Sequence, residues 1–185
     1  MLSQLLQKKH TKNFQVYDLD GSGFVEPIDL ERCASNLAKL RNWQPDSSEF
    51  LDLQAKYSAI WTNFWQPADI NGDGKVSLEE YLKVVENSIN NFSNSTELQN
   101  AHTAKANVIF DILDANNNDQ ISKSEYNHFF VAIGLTEKDA ETAFVHLDSN
   151  ADGHISRDEY VQASKEFHIS EDVNSSGNWL YGSYE

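Results

Sequence analysis

Four stretches of the chain share one pattern of apolar and polar positions. Each begins with apolar residues at helical spacing, passes through twelve residues rich in Asp and Asn, and returns to helical spacing. When the stretches are aligned on the first Asp, an aromatic residue recurs four positions earlier and a β-branched residue recurs at the eighth position. These residues are Phe14, Trp65, Phe110 and Phe144, followed by Val25, Val76, Ile121 and Ile155. The alignment indicates an internal repeat of four helix–loop–helix units.

The twelve-residue loops are residues 18–29, 69–80, 114–125 and 148–159. A β-branched side chain at the eighth position suits a short antiparallel ladder with the same position of a neighbouring loop, so we expect the loops to work in pairs. The Ser/Asn-rich stretch at residues 90–97 separates the pairs. The predicted fold is all-α, with compact lobes at residues 1–92 and 97–185 and short β-ladders between paired loops.

The first pair of loops is further apart than the second, and the extra length has helical character. Residues 47–66 read SSEFLDLQAKYSAIWTNFWQ and carry apolar residues at spacings of three and four. This spacing predicts an amphipathic helix of more than average length. Pro45 and Pro67 bracket it as helix breakers.

Composition and charge narrow the range of partners. The chain has 185 residues, of which 39% are hydrophobic, enough for a folded core. Its 29 Asp and Glu outnumber 14 Lys and Arg, and the formal charge of -15 disfavours nucleic acid and anionic membranes and favours cations. The single cysteine, Cys33, lies near Leu37 and Leu40 at near-helical spacing and is expected to pack in the core.

Location and oligomeric state follow from what the sequence does not contain. No apolar run approaches the roughly 20 residues of a membrane-spanning helix. The first ten residues, MLSQLLQKKH, lack the features of a secretion signal. We therefore expect a cytoplasmic monomer.

The polar residues of the loops match the ligand pattern of an EF-hand. Calcium takes six to eight oxygen ligands, which an EF-hand loop supplies from positions 1, 3, 5, 7, 9 and 12 around a bend at position 6. Loops 69–80 and 148–159 match fully, with Gly74 and Gly153 at the bend. Their predicted ligands are Asp69, Asn71, Asp73, the Lys75 carbonyl and Glu80, and Asp148, Asn150, Asp152, the His154 carbonyl and Glu159.

Loop 18–29 departs from the pattern at its last position, where Asp29 stands in place of glutamate. Because aspartate is one methylene shorter, we expect it to reach an ion with one oxygen, leaving about six ligands, a number that suits octahedral Mg²⁺. The sequence therefore predicts a site with reduced Ca²⁺/Mg²⁺ discrimination. Its predicted ligands are Asp18, Asp20, Ser22, the Phe24 carbonyl, Glu26 and Asp29.

Loop 114–125 departs at the bend, where Asp119 replaces glycine. The bend requires a positive φ, which Asn and Asp tolerate better than other non-glycine residues, at a strain of about 1 kcal/mol. Only two of the ligand side chains are carboxylates, so we predict a functional but weaker site that Asp119→Gly would tighten. The predicted ligands are Asp114, Asn116, Asn118, the Gln120 carbonyl and Glu125.

A purely structural role is the main alternative for the loop residues. Ser77 and Glu80 have the spacing of a helix-starting capping box, as do the matching Ser and Glu of the last two loops. The fourfold repeat favours metal binding, and the two roles are compatible because the exiting helix begins within the loop. The six histidines are scattered without zinc-ligand spacing. Since no catalytic constellation stands out either, we expect no enzymatic activity.

With four such loops and an expanded first pair, the chain resembles the sarcoplasmic calcium-binding proteins and their bacterial counterpart calerythrin. Members of that family tend to carry Asp at position 12 of the first loop, as at Asp29, and related chains end in a motif like GNWLYG, residues 177–182. The complete second loop and Asp119 depart from the family pattern. The resemblance implies a compact helical fold with packed EF-hand pairs, and calcium buffering or signalling without catalysis.

Three functions remain open: a Ca²⁺ or Ca²⁺/Mg²⁺ buffer, a sensor that exposes an apolar groove to a protein target, and a photoprotein or luciferin-binding-like carrier. Promiscuous sensors use Met-rich grooves, whereas this chain has one methionine. We hypothesise that the aromatic tail, residues 174–185, folds over an apolar cleft; the alternative is that it packs against one lobe only. If the protein is a carrier, its four tryptophans line a ligand cavity; the alternative is that they simply pack in the core. The tryptophans are Trp43, Trp61, Trp65 and Trp179.

Overall fold

The architecture is that of four helix–loop–helix units, and the predicted all-α fold is confirmed. The computed structural model describes residues 1–184, so Glu185, the last residue of the predicted tail, lies outside the described part. The α-helices are α1 Gln4–Tyr17, α2 Pro27–Leu40, α3 Ser48–Ile60, α4 Leu78–Phe92, α5 Thr96–Leu113, α6 Lys123–Ala132, α7 Glu137–Leu147 and α8 Arg157–Ile169. No helix of the described residues is long and apolar enough to cross a membrane.

Short strands join the loops in the two predicted pairs. They are β1 Phe24–Val25, β2 Val76–Ser77, β3 Gln120–Ser122 and β4 His154–Ser156. Strand β1 pairs with β2 and β3 with β4, both antiparallel, and the registers place Val25 opposite Val76 and Ile121 opposite Ile155. All four of these side chains are fully buried. The β-branched residue at position eight therefore joins two loops and anchors both in the core.

The long helix predicted across residues 47–66 changes its hydrogen bonding after Ile60. A π-helical turn, Trp61–Trp65, and a 3₁₀ turn, Gln66–Ala68, follow α3 in one helical run. Pro67 has no N–H to continue the α-helical ladder. The wider turn places Trp65 in the core, where its ring stacks on Tyr81 with centroids 4.9 Å apart. The aromatic residue before loop 69–80 is thus buried like its three counterparts.

One hydrophobic core extends through both halves of the chain. Across this core, side chains of the first half donate hydrogen bonds to backbone carbonyls at the carboxyl ends of three helices in the second half. The bonds run from Lys9 to Glu166 and Ser170 (both 3.0 Å), from Asn36 to Ala132 (3.1 Å), and from Arg41 to Ile112 (2.7 Å) and Leu113 (3.0 Å). A helix leaves its last four carbonyls without intrahelical partners, so these donors satisfy groups that burial would otherwise penalise.

The aromatic tail lies between α7 and α8. A 3₁₀ turn, Ser176–Trp179, is followed by Leu180 and Tyr181, both buried. The Tyr126 hydroxyl donates to the Leu180 carbonyl at 3.1 Å. Burial raises the pKa of Tyr181 to about 12, and hydrogen bonding to Tyr17 of α1 limits the rise. The described part of the tail therefore reaches residues of both halves.

The tail backbone packs directly against α8 at Gly177. A Cβ added there would lie 2.3 Å from the Ala163 carbonyl oxygen and 2.7 Å from the Phe167 nitrogen. The Glu166 carboxylate accepts hydrogen bonds from the Ser175 hydroxyl (2.6 Å) and the Gly177 amide (3.1 Å) at the same place. The first tail turn is thus fixed by contacts that leave no room for a side chain.

We predict that Gly177→Ala lowers the free energy of unfolding by about 1–3 kcal/mol, because the methyl group must displace backbone atoms of α8. Chemical denaturation monitored by circular dichroism measures the change. The control is Val173→Ala, at a largely exposed residue directly before the tail. Equal stability of the two variants would show that the tail does not pack tightly on α8.

Candidate metal centres

The first Asp of each loop organises the loop backbone in the same way. Its carboxylate accepts hydrogen bonds from the backbone N–H groups at positions 5 and 6, at distances of 2.8–3.1 Å. The residue at position 3 accepts a further bond from the N–H at position 5. The chain therefore wraps around its own acidic side chains, with Asp18, Asp69, Asp114 and Asp148 at equivalent places.

Glutamate at position 12 closes three of the loops. One oxygen of Glu125 accepts the Ser122 amide (2.9 Å), and the other reaches back to the Ala115 amide at the loop entrance (2.9 Å). Glu159 makes the same pair of contacts with Ser156 and Ser149. Glu80 of loop 69–80 follows them, accepting from Ser77 (3.0 Å) and Asn71 (3.2 Å).

The capping boxes expected as the alternative role are present, but they account for only part of this geometry. Ser77, Ser122 and Ser156 are the N-caps of their helices. A cap engages one carboxylate oxygen, whereas the second oxygen spans the loop. Hydrogen bonds from the Ser77 amide and hydroxyl lower the pKa of Glu80, which keeps this carboxylate ionised for a cation.

The carbonyl positions lie at the edge of the β-ladders. Phe24 opens β1, Gln120 opens β3 and His154 opens β4, while Lys75 directly precedes β2. Glu26, at position 9 of its loop, is the N-cap of α2. The predicted ligand residues of each loop thus lie within one short stretch of chain, between the entering helix and the first turn of the exiting helix.

The donor set suits a hard cation, since it consists of carboxylate, amide, hydroxyl and carbonyl oxygens. Within residues 1–184, no group of three or more His, Cys, Asp or Glu side chains is close enough together to hold a metal ion. Loop amides hold the position 1 and 3 side chains instead.

Loop 18–29 contains a residue that sequence reasoning missed. Arg32 Nη1 lies 2.5 Å from Asp20 Oδ2 and 3.3 Å from Asp29 Oδ1, so it bridges positions 3 and 12. The other Asp29 oxygen accepts the Glu26 amide at 2.9 Å. Burial raises the pKa of Asp29, which is completely enclosed. The available signal was the position of Arg32 one helical turn after Asp29.

Asp119 of loop 114–125 has φ of +63°, as the sequence predicts for the bend. The glycines at the same position of the other loops have φ of +85° to +91°. The Asp119 carboxylate accepts a hydrogen bond from Arg157 Nε at 2.7 Å. The side chain therefore faces the neighbouring loop, and the ligand positions on either side keep their places.

Known EF-hand proteins match the chain in sequence and structure. The family model described as an EF-hand domain pair matches residues 103–165, and the EF hand model matches residues 12–34 and 67–85. Calerythrin of Saccharopolyspora erythraea is 24% identical over 169 residues, which are 91% of this chain and 95% of that protein. Sarcoplasmic calcium-binding protein 1 of Astacus leptodactylus is 25% identical over 174 residues, 90% of each chain. The structure of calcium-loaded apo coelenterazine-binding protein from Renilla muelleri has a TM-score of 0.80 at 23% identity, covering 98% and 99% of the two chains.

We predict that Asp29→Glu raises the preference of loop 18–29 for Ca²⁺ over Mg²⁺ by about tenfold, or about 1.4 kcal/mol. The added methylene lets the carboxylate reach the loop entrance, as Glu80 does, and supply a second oxygen. Calorimetric Ca²⁺ titration in competition with Mg²⁺ measures the change. Asp46→Glu, the same chemical change outside the loops, serves as the control. An unaltered Ca²⁺/Mg²⁺ ratio in Asp29→Glu would contradict the assignment of position 12.

The matched segments together contain all four loops, and the two relatives extend over nine-tenths of the chain. The paired β-ladders and oxygen-rich loops described above agree with these matches. The chain is a calcium-binding EF-hand protein that is similar to calerythrin and to the sarcoplasmic calcium-binding proteins.

Proposed function

We propose that the protein is a cytoplasmic calcium buffer without catalytic activity. Its ligands are the loop residues predicted above, and its binding units are the EF-hand pairs of residues 1–92 and 97–185. The observation that carries this proposal is that the fold is closed: tail and cross-half contacts occupy the surfaces that a sensor would have to expose.

The contact between α1 and α8 supports a closed fold. Lys9 has no exposed surface, and burial lowers its pKa to about 8. Its ammonium group donates to two carbonyls at the end of α8, and His10 Nε2 lies 3.1 Å from the His168 carbonyl. Separating α1 from α8 would break these hydrogen bonds and expose the apolar surface beside them, including Phe167, to water, which is costly.

The tail supports the same conclusion from the other side. Leu180 and Tyr181 are buried, and Tyr181 packs edge-on against Phe167 of α8 with centroids 5.2 Å apart. Trp179 stacks on His146 of α7 with centroids 4.1 Å apart. A sensor EF-hand opens a Met-rich groove on binding calcium, whereas here aromatic residues of the chain itself fill the space beside α7 and α8.

We expect calorimetry to show up to four divalent-ion sites whose apparent Ca²⁺ affinity falls when Mg²⁺ is present at millimolar concentration, because buffer sites bind both ions. Binding of an apolar dye should be the same with and without Ca²⁺. Glu159→Gln, which removes a carboxylate from position 12, should remove one site. A variant lacking residues 174–185 is the positive control for dye binding. Ca²⁺-specific micromolar sites together with Ca²⁺-dependent dye binding would contradict the buffer proposal and indicate a sensor.

A second candidate function is the carriage of a small apolar molecule, and one cavity favours it. A space of about 240 Å³ lies between the two halves, somewhat below the usual size of a ligand pocket. Apolar residues such as Phe64 and Phe167 form part of its wall. Asn13 Oδ1, also at the cavity, is buried without a hydrogen-bond partner in the described structure.

The polar part of the cavity wall includes Lys105 and largely buried histidines. Burial lowers the pKa values of His10 and His102 to about 4, so both imidazoles are neutral at pH 7. Both ring nitrogens of His10 already contact Tyr81 and the His168 carbonyl, whereas His102 contacts Ser164 through Nε2. Asn13 and Tyr81 already form a hydrogen bond of 2.6 Å beside them. A protein of the same fold is described as coelenterazine-binding, which supports testing this chromophore here.

We predict that the protein retains a coelenterazine-type chromophore after repurification if it is a carrier, with absorbance showing one molecule per chain. Val84→Phe, which fills part of the cavity, should abolish retention. Val145→Phe adds the same ring at an exposed position and serves as the control. Absence of chromophore from the wild-type protein, or equal retention by both variants, would contradict the proposed carrier function.

A further inference from the structure

Arg157 connects the last loop to the loop before it. It occupies position 10 of loop 148–159 and is the first residue of α8. Its guanidinium donates to Asp119 Oδ1 at 2.7 Å and lies 2.8 Å from Asp111 Oδ1. The same group lies 4.2 Å from the ring centroid of Phe110 and 3.3 Å from Asn107 Oδ1. One side chain thus holds both the bend of loop 114–125 and the helix that enters it.

The matching residue of loop 114–125 makes the contact with the aromatic ring but has no carboxylate to meet at the bend of the other loop. Lys123, at position 10 of loop 114–125, lies over Phe144 of the opposite entering helix, 5.7 Å from its centroid. Position 6 of the opposite loop is Gly153, which has no side chain to meet Lys123. The ionic link to the bend therefore exists in one direction only, because Asp119 replaces glycine.

We propose that Asp119 and Arg157 couple the two loops, so that calcium binding at loop 148–159 preorganises loop 114–125. This inference rests on the proposed assignment of both loops as calcium sites. It gives the non-glycine residue at the bend a function in cooperativity, whereas the sequence alone explains it as a tolerated variant. Asp119→Gly, expected from the sequence to tighten the loop, would relieve the strain of the bend but would also remove the contact with Arg157.

The proposed direction of coupling follows from the position of Glu159. This residue lies in the first turn of α8 with Arg157, and its carboxylate spans loop 148–159 from Ser156 to Ser149. Binding at position 12 fixes that turn, and with it the backbone of Arg157. The guanidinium then holds Asp119 at positive φ. Loop 114–125 gains most, since it has only two carboxylates at ligand positions.

Residue-resolved NMR titration with Ca²⁺ tests the coupling, using the amide signals of Asp119 and Gly153 to report on the two loops. Asp119→Asn removes the charge but retains a residue that tolerates positive φ. We expect Asp119→Asn, Arg157→Gln and the double variant each to weaken loop 114–125 about fivefold, a typical size for allosteric coupling. Lys138→Gln, which removes one positive charge from an exposed residue of α7 outside the loops, is the control and should leave loop 114–125 unchanged.

Disabling loop 148–159 provides a second test. Glu159→Gln should weaken Ca²⁺ binding at loop 114–125 in the wild-type background and have no further effect on it in the Arg157→Gln background. Additive effects of the Asp119 and Arg157 substitutions, or an undiminished affinity in Asp119→Asn, would overturn the coupling alone. No Ca²⁺-dependent shift of the Asp119 amide in the wild-type protein would overturn the assignment of this loop as a site, and the coupling with it.

Discussion

The donation of hydrogen bonds from one half of the chain to helix ends of the other is the constraint on which the closed fold depends. Lys9, Asn36 and Arg41 lie on or at the end of α1 and α2, and each meets carbonyls at the carboxyl end of a different helix in the second half. Burying a lysine or arginine is costly unless its donors are satisfied. The two halves must therefore dock in one orientation, because small shifts would leave both the donors and the carbonyls without partners.

A fixed relation between the halves leaves the loops as the parts that can adjust. The bend of each loop is held by a hydrogen bond from its position 6 amide to the first Asp. Two of the loops also have a restraint of their own: Arg32 bridges two ligand positions in the first, and Arg157 holds the bend of the third. Two arginines thus distinguish sites that otherwise share one backbone plan.

Much of this arrangement could be predicted from the sequence because it repeats. The aromatic and β-branched frame, the antiparallel pairing at position eight and the positive φ of Asp119 all follow from aligned positions. The contacts of Lys9, Arg32 and Arg157 could not be predicted in this way. Arg32 pairs within its own loop and helix, whereas Lys9 and Arg157 meet partners that only the tertiary structure brings near. Lys123, which matches Arg157 in loop 114–125, meets an aromatic ring and faces a glycine at the opposite bend, so the repeat does not reveal the partner of Arg157. The π-helical turn after Ile60 was missed because apolar spacing does not distinguish it from α-helix over a single turn.

The Lys9 contacts also have a consequence for the order of folding. They join residues that are 157 and 161 positions apart in the chain. Contacts of such high sequence separation form late, because a long loop must be closed before they contribute any stability. During synthesis, the first helix must therefore wait for the end of the last helix to emerge before its buried lysine finds a partner. The chain can build each EF-hand pair locally, but its ends complete the structure together.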